Sequence, residues 1–303
     1  MERMRLLAVL LLVLAIALGG WIFYEHGFGR KHVVRFATTT SLYASGLLDL
    51  LASEFRKNYG NAEVVFIAVG TGQALRLAER GDVCGVLVHD PHLEKLYIDR
   101  GVLDAGVMFA YNFFVVVGPR SDPANVSTAG SAVEAFTRIF RAAEAGKALF
   151  VSRGDSSGTH QRETMLWKKA GLDPAGRSWY LECGCGMGEA LLIANEERAY
   201  TLSDIATFER YKKSGRVGDL EVLYANSSDL YTLNIYSGYV TKRCSGVERD
   251  LALKFLEFVY ENQKTLVENF GVDELDRKIF FSAIDREDEL KSLWNAIAGS
   301  QDP

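Results

Sequence analysis

Short apolar runs that end in hydroxyl and glycine residues alternate with runs of helical spacing in this sequence. The three clearest apolar runs and the turns that follow them are 33–37 before 38–41, 64–69 before 70–72, and 148–151 before 152–160. After each turn, apolar residues recur three or four positions apart, which predicts a helix. Strands that alternate with helices predict an α/β fold, in which helices cover the faces of a largely parallel sheet.

The turns themselves predict a binding site, because the carboxyl ends of parallel strands lie at one edge of a sheet. The first backbone N–H groups of a helix have no partner within the helix, so such a turn attracts anions. Arg153 adds a fixed positive charge with several donors. Many donors without an evident general base predict a site for a small tetrahedral oxyanion, with no metal ion and no cofactor. The candidate ligand-binding residues are Thr39, Thr40, Ser41, Thr71, Ser152, Arg153, Ser157 and Thr159.

The length of 303 residues predicts two lobes, because single hydrophobic cores stop growing near roughly 250–300 residues. Apolar runs at 107–118 and 231–240 predict two strands that cross between the lobes. We predict a ligand cleft between a first and a second lobe, preceded by an N-terminal segment and followed by a tail. The predicted boundaries are 32–115 with 232–290 for lobe 1, 116–231 for lobe 2, 1–31 for the N-terminal segment and 291–303 for the tail.

The N-terminal segment has the pattern of an export signal or a membrane anchor. Arg3 and Arg5 precede an apolar run that begins at Leu6 and continues through Phe23. A signal peptide would be cleaved near the small residues at 15–17, whereas an uncleaved anchor needs about 20 apolar residues. We favour the anchor, and either interpretation places the folded part outside the cytoplasm. The net charge of −5 excludes a global basic field for nucleic acid.

Four cysteines permit three disulfide pairings outside the cytoplasm. Cys183 and Cys185 are separated by one glycine, which is not a zinc spacing. We interpret them as small residues beside a glycine-rich turn, and the sharper alternative is one disulfide that joins Cys84 or Cys244 to one of the others. His89-Asp-Pro-His92 also favours a turn over a metal site, because a third ligand is not evident.

Beyond these patterns, an ordered set of short segments resembles the extracytoplasmic tungstate-binding proteins of ABC-type uptake systems. The set extends over about 170 residues, and little after Tyr231 matches. Each segment alone is weak evidence, but their order is specific. The segments are 38–41, 69–74, 88–91, 112–119, 152–160, 167–171, 179–180, 186–188 and 199–204.

The resemblance implies a type II periplasmic-binding-protein fold, a tungstate or molybdate ligand, and a membrane permease with an ATPase as partners. It also implies that the oxyanion is bound by Thr39, Thr40, Ser41, Thr71, Ser152 and Arg153, with Ser157 and Thr159 as neighbours. Two features depart from the family pattern. Ile205 and Ala206 stand where the family usually has an arginine and a glycine, and the Cys-Gly-Cys turn at 183–185 is unexpected.

Two other functions compete with tungstate binding. A binding protein for phosphate, sulfate or another oxyanion is the first, and Asp155 could supply the acceptor that hydrogen phosphate needs. A membrane-anchored serine hydrolase is the second, because residues 154–158 faintly resemble a nucleophile loop. A triad needs a base and an orienting acid, and His160 lies only three residues from Ser157 on the same predicted helix. We therefore predict a binding protein and not an enzyme.

Overall fold

A computed structural model describes residues 32–299 as a mixed α/β structure built on one long sheet. Each strand consists of an apolar run identified above or of a shorter run between helices. The nine strands are β1 (His32–Thr39), β2 (Ala62–Val69), β3 (Gly85–Val88), β4 (Leu103–Pro119), β5 (Phe150–Ser152), β6 (Tyr180–Glu182), β7 (Tyr200–Asp204), β8 (Leu220–Tyr224) and β9 (Leu233–Thr241).

The helices alternate with the strands from residue 32 to residue 213, and further helices follow in the C-terminal part. A 3₁₀ turn at Leu230–Thr232 precedes β9, and a π-helical turn at Gln263–Val267 follows the long helix Gly246–Glu261. The helices are α1 (Thr40–Ala44), α2 (Leu47–Asn58), α3 (Thr71–Arg80), α4 (Pro91–Asp99), α5 (Ala132–Glu144), α6 (Gly158–Lys169), α7 (Met187–Glu196), α8 (Ile205–Lys213), α9 (Gly246–Glu261), α10 (Val272–Leu275) and α11 (Glu287–Gly299).

The order of strands in the sheet is β2-β1-β3-β9-β4-β7-β5-β6, and β8 pairs with β4. Strands β1, β2 and β3 are parallel to one another, as are β5, β6 and β7. β4 is 17 residues long. Its first part pairs with β9, and its last residues pair with β7 and β8. Two parallel half-sheets therefore share the antiparallel pair β4 and β9, which confirms the predicted α/β class.

Separate hydrophobic cores support the two halves. Phe36, Phe55 and Phe255 belong to the core beside β1–β3, whereas Phe136 and Trp167 belong to the core beside β5–β7. The predicted boundary at 115/116 falls inside β4, and the one at 290/291 falls inside α11. The lobe boundaries remain a proposal. β4 is continuous across the predicted boundary at 115/116, and α11 is continuous across the one at 290/291.

Helix α11 packs onto the first half. The indole Nε1 of Trp294 donates a hydrogen bond of 2.8 Å to Oε2 of Glu94, and both residues are buried. Tyr239 donates to the same carboxylate oxygen at 2.8 Å. Residues 291–299, which were predicted to belong to a tail, are thus held by a buried polar contact to α4.

The cysteines form two disulfides, Cys84–Cys244 and Cys183–Cys185. The interpretation of Cys183 and Cys185 as small residues beside a glycine-rich turn therefore missed the bond between them. The alternative of one disulfide that joins Cys84 or Cys244 to another cysteine agrees with the Cys84–Cys244 bond. It did not include the second disulfide, Cys183–Cys185. β3 and the turn after β9 are adjacent because β3 pairs with β9, and this brings Cys84 and Cys244 together.

None of the helices within residues 32–299 is long and apolar enough to cross a membrane. The predicted signal or anchor at 1–31 lies outside the described residues.

Candidate functional site

Helix starts from both halves of the molecule face one another at the carboxyl ends of the strands. Thr39 caps α1, and its Oγ1 accepts from the backbone N–H of Leu42 at 3.3 Å. Ser157 caps α6, and its Oγ accepts from the N–H of His160 at 3.3 Å. The start of α3 also lies close to the loop before α6. A Cβ added at Gly70, the cap of α3, would lie 3.3 Å from the backbone oxygen of Asp155.

Arg153 lies at the centre of this region and is only 1% exposed. Its Nη2 donates to Thr40 Oγ1 of the opposite half at 2.8 Å, and also to the Asp155 carboxylate. Its Nη1 donates to Thr159 Oγ1 at 3.4 Å, and its Nε to the carbonyl oxygen of Cys185 at 3.3 Å. Burial lowers the pKa of the guanidinium, and the Asp155 carboxylate opposes that shift. A buried positive charge thus joins the two halves.

The hydroxyls from the first half form a buried group next to this arginine. Ser41 Oγ lies 3.3 Å from Thr39 Oγ1, and both side chains are fully buried. Thr71, at the start of α3, is fully buried too. Its Oγ1 has no hydrogen-bond partner within residues 32–299. A buried hydroxyl without a partner is costly, so Thr71 is suited to donate to a bound ligand.

Ser152 differs from the other candidates. Its hydroxyl donates to Oε2 of Glu163 at 2.8 Å and accepts from the N–H of Gly154 at 3.3 Å. Burial raises the pKa of Glu163 to about 7, although hydrogen bonds from Tyr180, Ser152 and Trp167 oppose the shift. The structure therefore places the Ser152 side chain beneath the loop, where it holds the loop against α6. Its role as a direct ligand stays a prediction.

His89 is a member of this cluster that the candidate set omitted. Its Nε2 lies 3.2 Å from Ser41 Oγ, and a Cβ added at Gly158 would lie 2.9 Å from its Cε1. Burial and then the charge of Arg153 lower the pKa of His89 to about 3, so the imidazole is neutral at physiological pH. The sequence feature that could have identified His89 is its position directly after β3. We interpreted that stretch as a turn rather than as a metal site.

The start of α8, where Ile205 and Ala206 depart from the family pattern, also contacts the first half. Asp204 caps α8 by accepting from the N–H of Thr207 at 2.9 Å. Thr207 Oγ1 donates to the backbone oxygen of Ser41 at 3.2 Å. Ala206 is fully buried against the core of the first half. Ala206 thus contributes an apolar contact between the halves and carries no charge.

Ser157 and His160 do not form the nucleophile–base pair that the hydrolase alternative requires. The His160 ring accepts from the N–H of Ser156 through Nδ1 at 3.0 Å, whereas Ser157 Oγ is bonded to the His160 backbone. A nucleophile–base pair requires the ring to reach the hydroxyl, and this pair does not. Within residues 32–299, the one cluster of three potential metal ligands is Cys84, Cys244 and Glu248, where both sulfurs are in a disulfide.

Two α/β halves joined by two long strands, with hydroxyl donors and one buried arginine between them, define a two-lobed solute-binding protein. Residues 29–263 match the PBP superfamily domain. A tungstate-binding protein, TupA, from Peptoclostridium acidaminophilum is 31% identical over 92% of this chain and 98% of that protein.

Two further relatives support the same assignment. The crystal structure of the tungstate ABC transporter from Geobacter sulfurreducens is 41% identical, with 80% of this chain and 100% of that chain covered and a TM-score of 0.70. A Haloferax volcanii protein, described as an anion-binding protein of an ABC transporter, is 46% identical over 61% of this chain but only 52% of its own length. The chain belongs to the periplasmic-binding-protein superfamily and, within it, to the family of tungstate-binding proteins.

Proposed function

We propose that this protein is the solute-binding component of an ABC importer and that it binds tungstate between its two lobes. The observation that carries the proposal is the position of Arg153, whose guanidinium is buried and bonded to a hydroxyl from each lobe. A charged donor surrounded by neutral donors suits a small dianion, because charge-assisted hydrogen bonds are roughly twice as strong as neutral ones. The names of relatives that are 31% and 41% identical support tungstate as that dianion.

The surroundings of Asp155 favour a proton-free anion over hydrogen phosphate. Hydrogen phosphate carries a proton and needs an acceptor, whereas tungstate at neutral pH carries none. Asp155 is the acidic residue that forms an ion pair with the guanidinium, and its two oxygens already accept from Arg153 and from the N–H of Ser157. This carboxylate is therefore occupied by donors of its own loop, which supports tungstate. Molybdate has nearly the same charge and shape and is the alternative ligand that the same donors would accept.

The family context supports partners and a location as well. We infer that a membrane permease and an ATPase receive the anion from this protein, and that the folded part acts outside the cytoplasm. The apolar run within residues 6–23 and the arginines before it support an N-terminal anchor in the membrane. We expect no hydrolysis of ester substrates, and assays of the wild type and of Ser157→Ala with a chromogenic ester check this.

Isothermal calorimetry of the full-length protein with tungstate, molybdate, sulfate and phosphate tests the proposal. We expect tungstate and molybdate to bind at least about a hundredfold more tightly than phosphate and sulfate, a difference of roughly 2.7 kcal/mol. Equal or tighter binding of phosphate would refute the assignment. Asp155→Asn is the diagnostic variant: if the carboxylate accepts a ligand proton, the variant loses phosphate affinity, whereas under our proposal it retains or gains tungstate affinity.

A further inference from the structure

A disulfide turn lies directly against the arginine of the site. Cys183 and Cys185 are bonded to each other across the single residue Gly184. The turn connects the end of β6 with Gly186, which caps α7. A Cβ added at Gly186 would lie 3.8 Å from Oγ1 of Thr40, so the turn leads into the cleft.

Three hydrogen bonds attach this turn to the loop that carries Arg153. The N–H of Cys183 donates to the carbonyl of Ser152 at 3.0 Å, and the N–H of Cys185 donates to the carbonyl of Arg153 at 3.1 Å. In the other direction, Nε of Arg153 donates to the carbonyl of Cys185 at 3.3 Å. The conformation of the turn therefore fixes both the main chain and the guanidinium of Arg153.

The two disulfides of the protein differ in access and in loop length. Cys84 and Cys244 are 6% and 8% exposed and are 160 residues apart in sequence. Cys183 and Cys185 are only partly buried, and Gly184 between them is exposed. A disulfide that closes a long loop removes more entropy from the unfolded chain than one that closes a short loop. Disulfides that solvent can reach and that have little such support are the ones that thiols reduce readily.

Reduction is also accommodated by groups already present. Sγ of Cys183 lies 3.7 Å from the carbonyl oxygen of Arg153, and a hydrogen bond can form there only when the sulfur carries a proton. The backbone carbonyl of Cys185 accepts from Nε of Arg153, and Cys185 precedes Gly186, which caps α7. Both a nearby guanidinium and a helix N-terminus favour a thiolate. These interactions stabilise the reduced form, which raises the reduction potential of the pair.

We propose that Cys183 and Cys185 form a thiol–disulfide exchange site that takes dithiol reductants, and that its redox state sets the oxyanion affinity through Arg153. The second part of this inference rests on the proposed function. In the exchange, one thiolate of the dithiol attacks a sulfur of the pair and releases the other as a thiolate. The second thiol of the reductant then resolves the mixed disulfide. Two electrons and two protons pass to the cysteines, and the dithiol becomes a disulfide.

The reduced turn no longer holds the Cys185 carbonyl against Nε of Arg153, so we expect weaker anion binding. The experiment equilibrates full-length protein with dithiothreitol buffers of graded potential and alkylates the free thiols for mass spectrometry. Tungstate affinity is measured by calorimetry on oxidised protein and on protein reduced at this one pair. Cys183→Ser with Cys185→Ser mimics the reduced turn. Cys84→Ala with Cys244→Ala is the matched control, because it removes the other disulfide.

We expect the pair at 183 and 185 to be alkylated at a higher potential than the pair at 84 and 244. We also expect tungstate binding to weaken roughly fivefold on reduction and in the serine variant, as when one charge-assisted contact is loosened. The control should keep both the oxidised affinity and the response to dithiothreitol. Simultaneous reduction of both pairs, or equal affinity of the oxidised and selectively reduced forms, overturns the inference. If the oxidised protein binds no tungstate, the proposed function and the link to affinity both fail, whereas the exchange site is still decided by alkylation.

Discussion

Replacement of Arg153 by alanine is the perturbation that most directly tests the site. The variant removes a buried charge and its contacts with Thr40, Thr159 and the Cys185 carbonyl. It also leaves the Asp155 carboxylate without its ion-pair partner, at a side chain that is 16% exposed. Both effects disfavour a bound dianion, since one attraction is lost and one repulsion is uncovered.

The expected loss of tungstate affinity follows from the charge. A unit charge about 4 Å from another contributes about 4 kcal/mol at an effective dielectric constant near 20. Because the ion pair with Asp155 already offsets part of this attraction, we expect about 1.4–4 kcal/mol, a tenfold to roughly thousandfold loss of affinity. Arg153→Lys keeps the charge but loses the fork geometry, so its loss should be smaller.

Calorimetry with tungstate on the wild type, Arg153→Ala and Arg153→Lys measures these differences, and circular dichroism establishes that each variant is folded. Arg138→Ala is the matched control. It makes the same change in net charge at a partly exposed arginine on α5, which is bonded to Glu134. Its tungstate affinity should stay within about twofold of the wild type, because its guanidinium is bonded to Glu134, Asn125 and Thr128 and not to a candidate ligand-binding residue. If Arg153→Ala binds as tightly as the control, Arg153 is not part of the site.

Three further predictions concern stability and the buried hydroxyls. Burial raises the pKa of Glu163 from 4.5 to about 7, so the folded state loses stability as pH rises from about 5 to 7. Glu163→Gln should remove about 2 kcal/mol of that loss, as measured by urea titrations at both pH values. An unchanged pH dependence in the variant contradicts this prediction. His89→Ala should weaken tungstate binding by about tenfold, because the contact between the imidazole and Ser41 is lost. His89→Gln should restore part of the lost affinity. If calorimetry finds equal affinities for the two variants, the imidazole has no positioning role. Replacing Cys84 and Cys244 by alanine should lower the free energy of unfolding by roughly 2–5 kcal/mol without changing tungstate affinity, and an unchanged midpoint of guanidinium unfolding contradicts this.

The sequence alone determined the local architecture of the site. Thr39, Ser157 and Asp204 cap α1, α6 and α8, because short polar side chains bind the free N–H groups at a helix start. The alternation of apolar runs and helical periods specified the α/β class. It also placed these starts at the carboxyl ends of strands. The order of the segments indicated the family, which the comparisons confirm.

Only the tertiary structure decided which side chains face the arginine and which face elsewhere. The Ser152 hydroxyl binds Glu163 of α6, and Ser41 meets His89 across 48 positions. Pairing of β3 with β9 selected the Cys84–Cys244 disulfide among three possible pairings, and the turn at Gly184 formed the other. Helix caps and periodicity are set by neighbours within a few residues, so a sequence specifies them directly. Contacts across the cleft depend on the register and packing of distant strands, which local patterns do not encode.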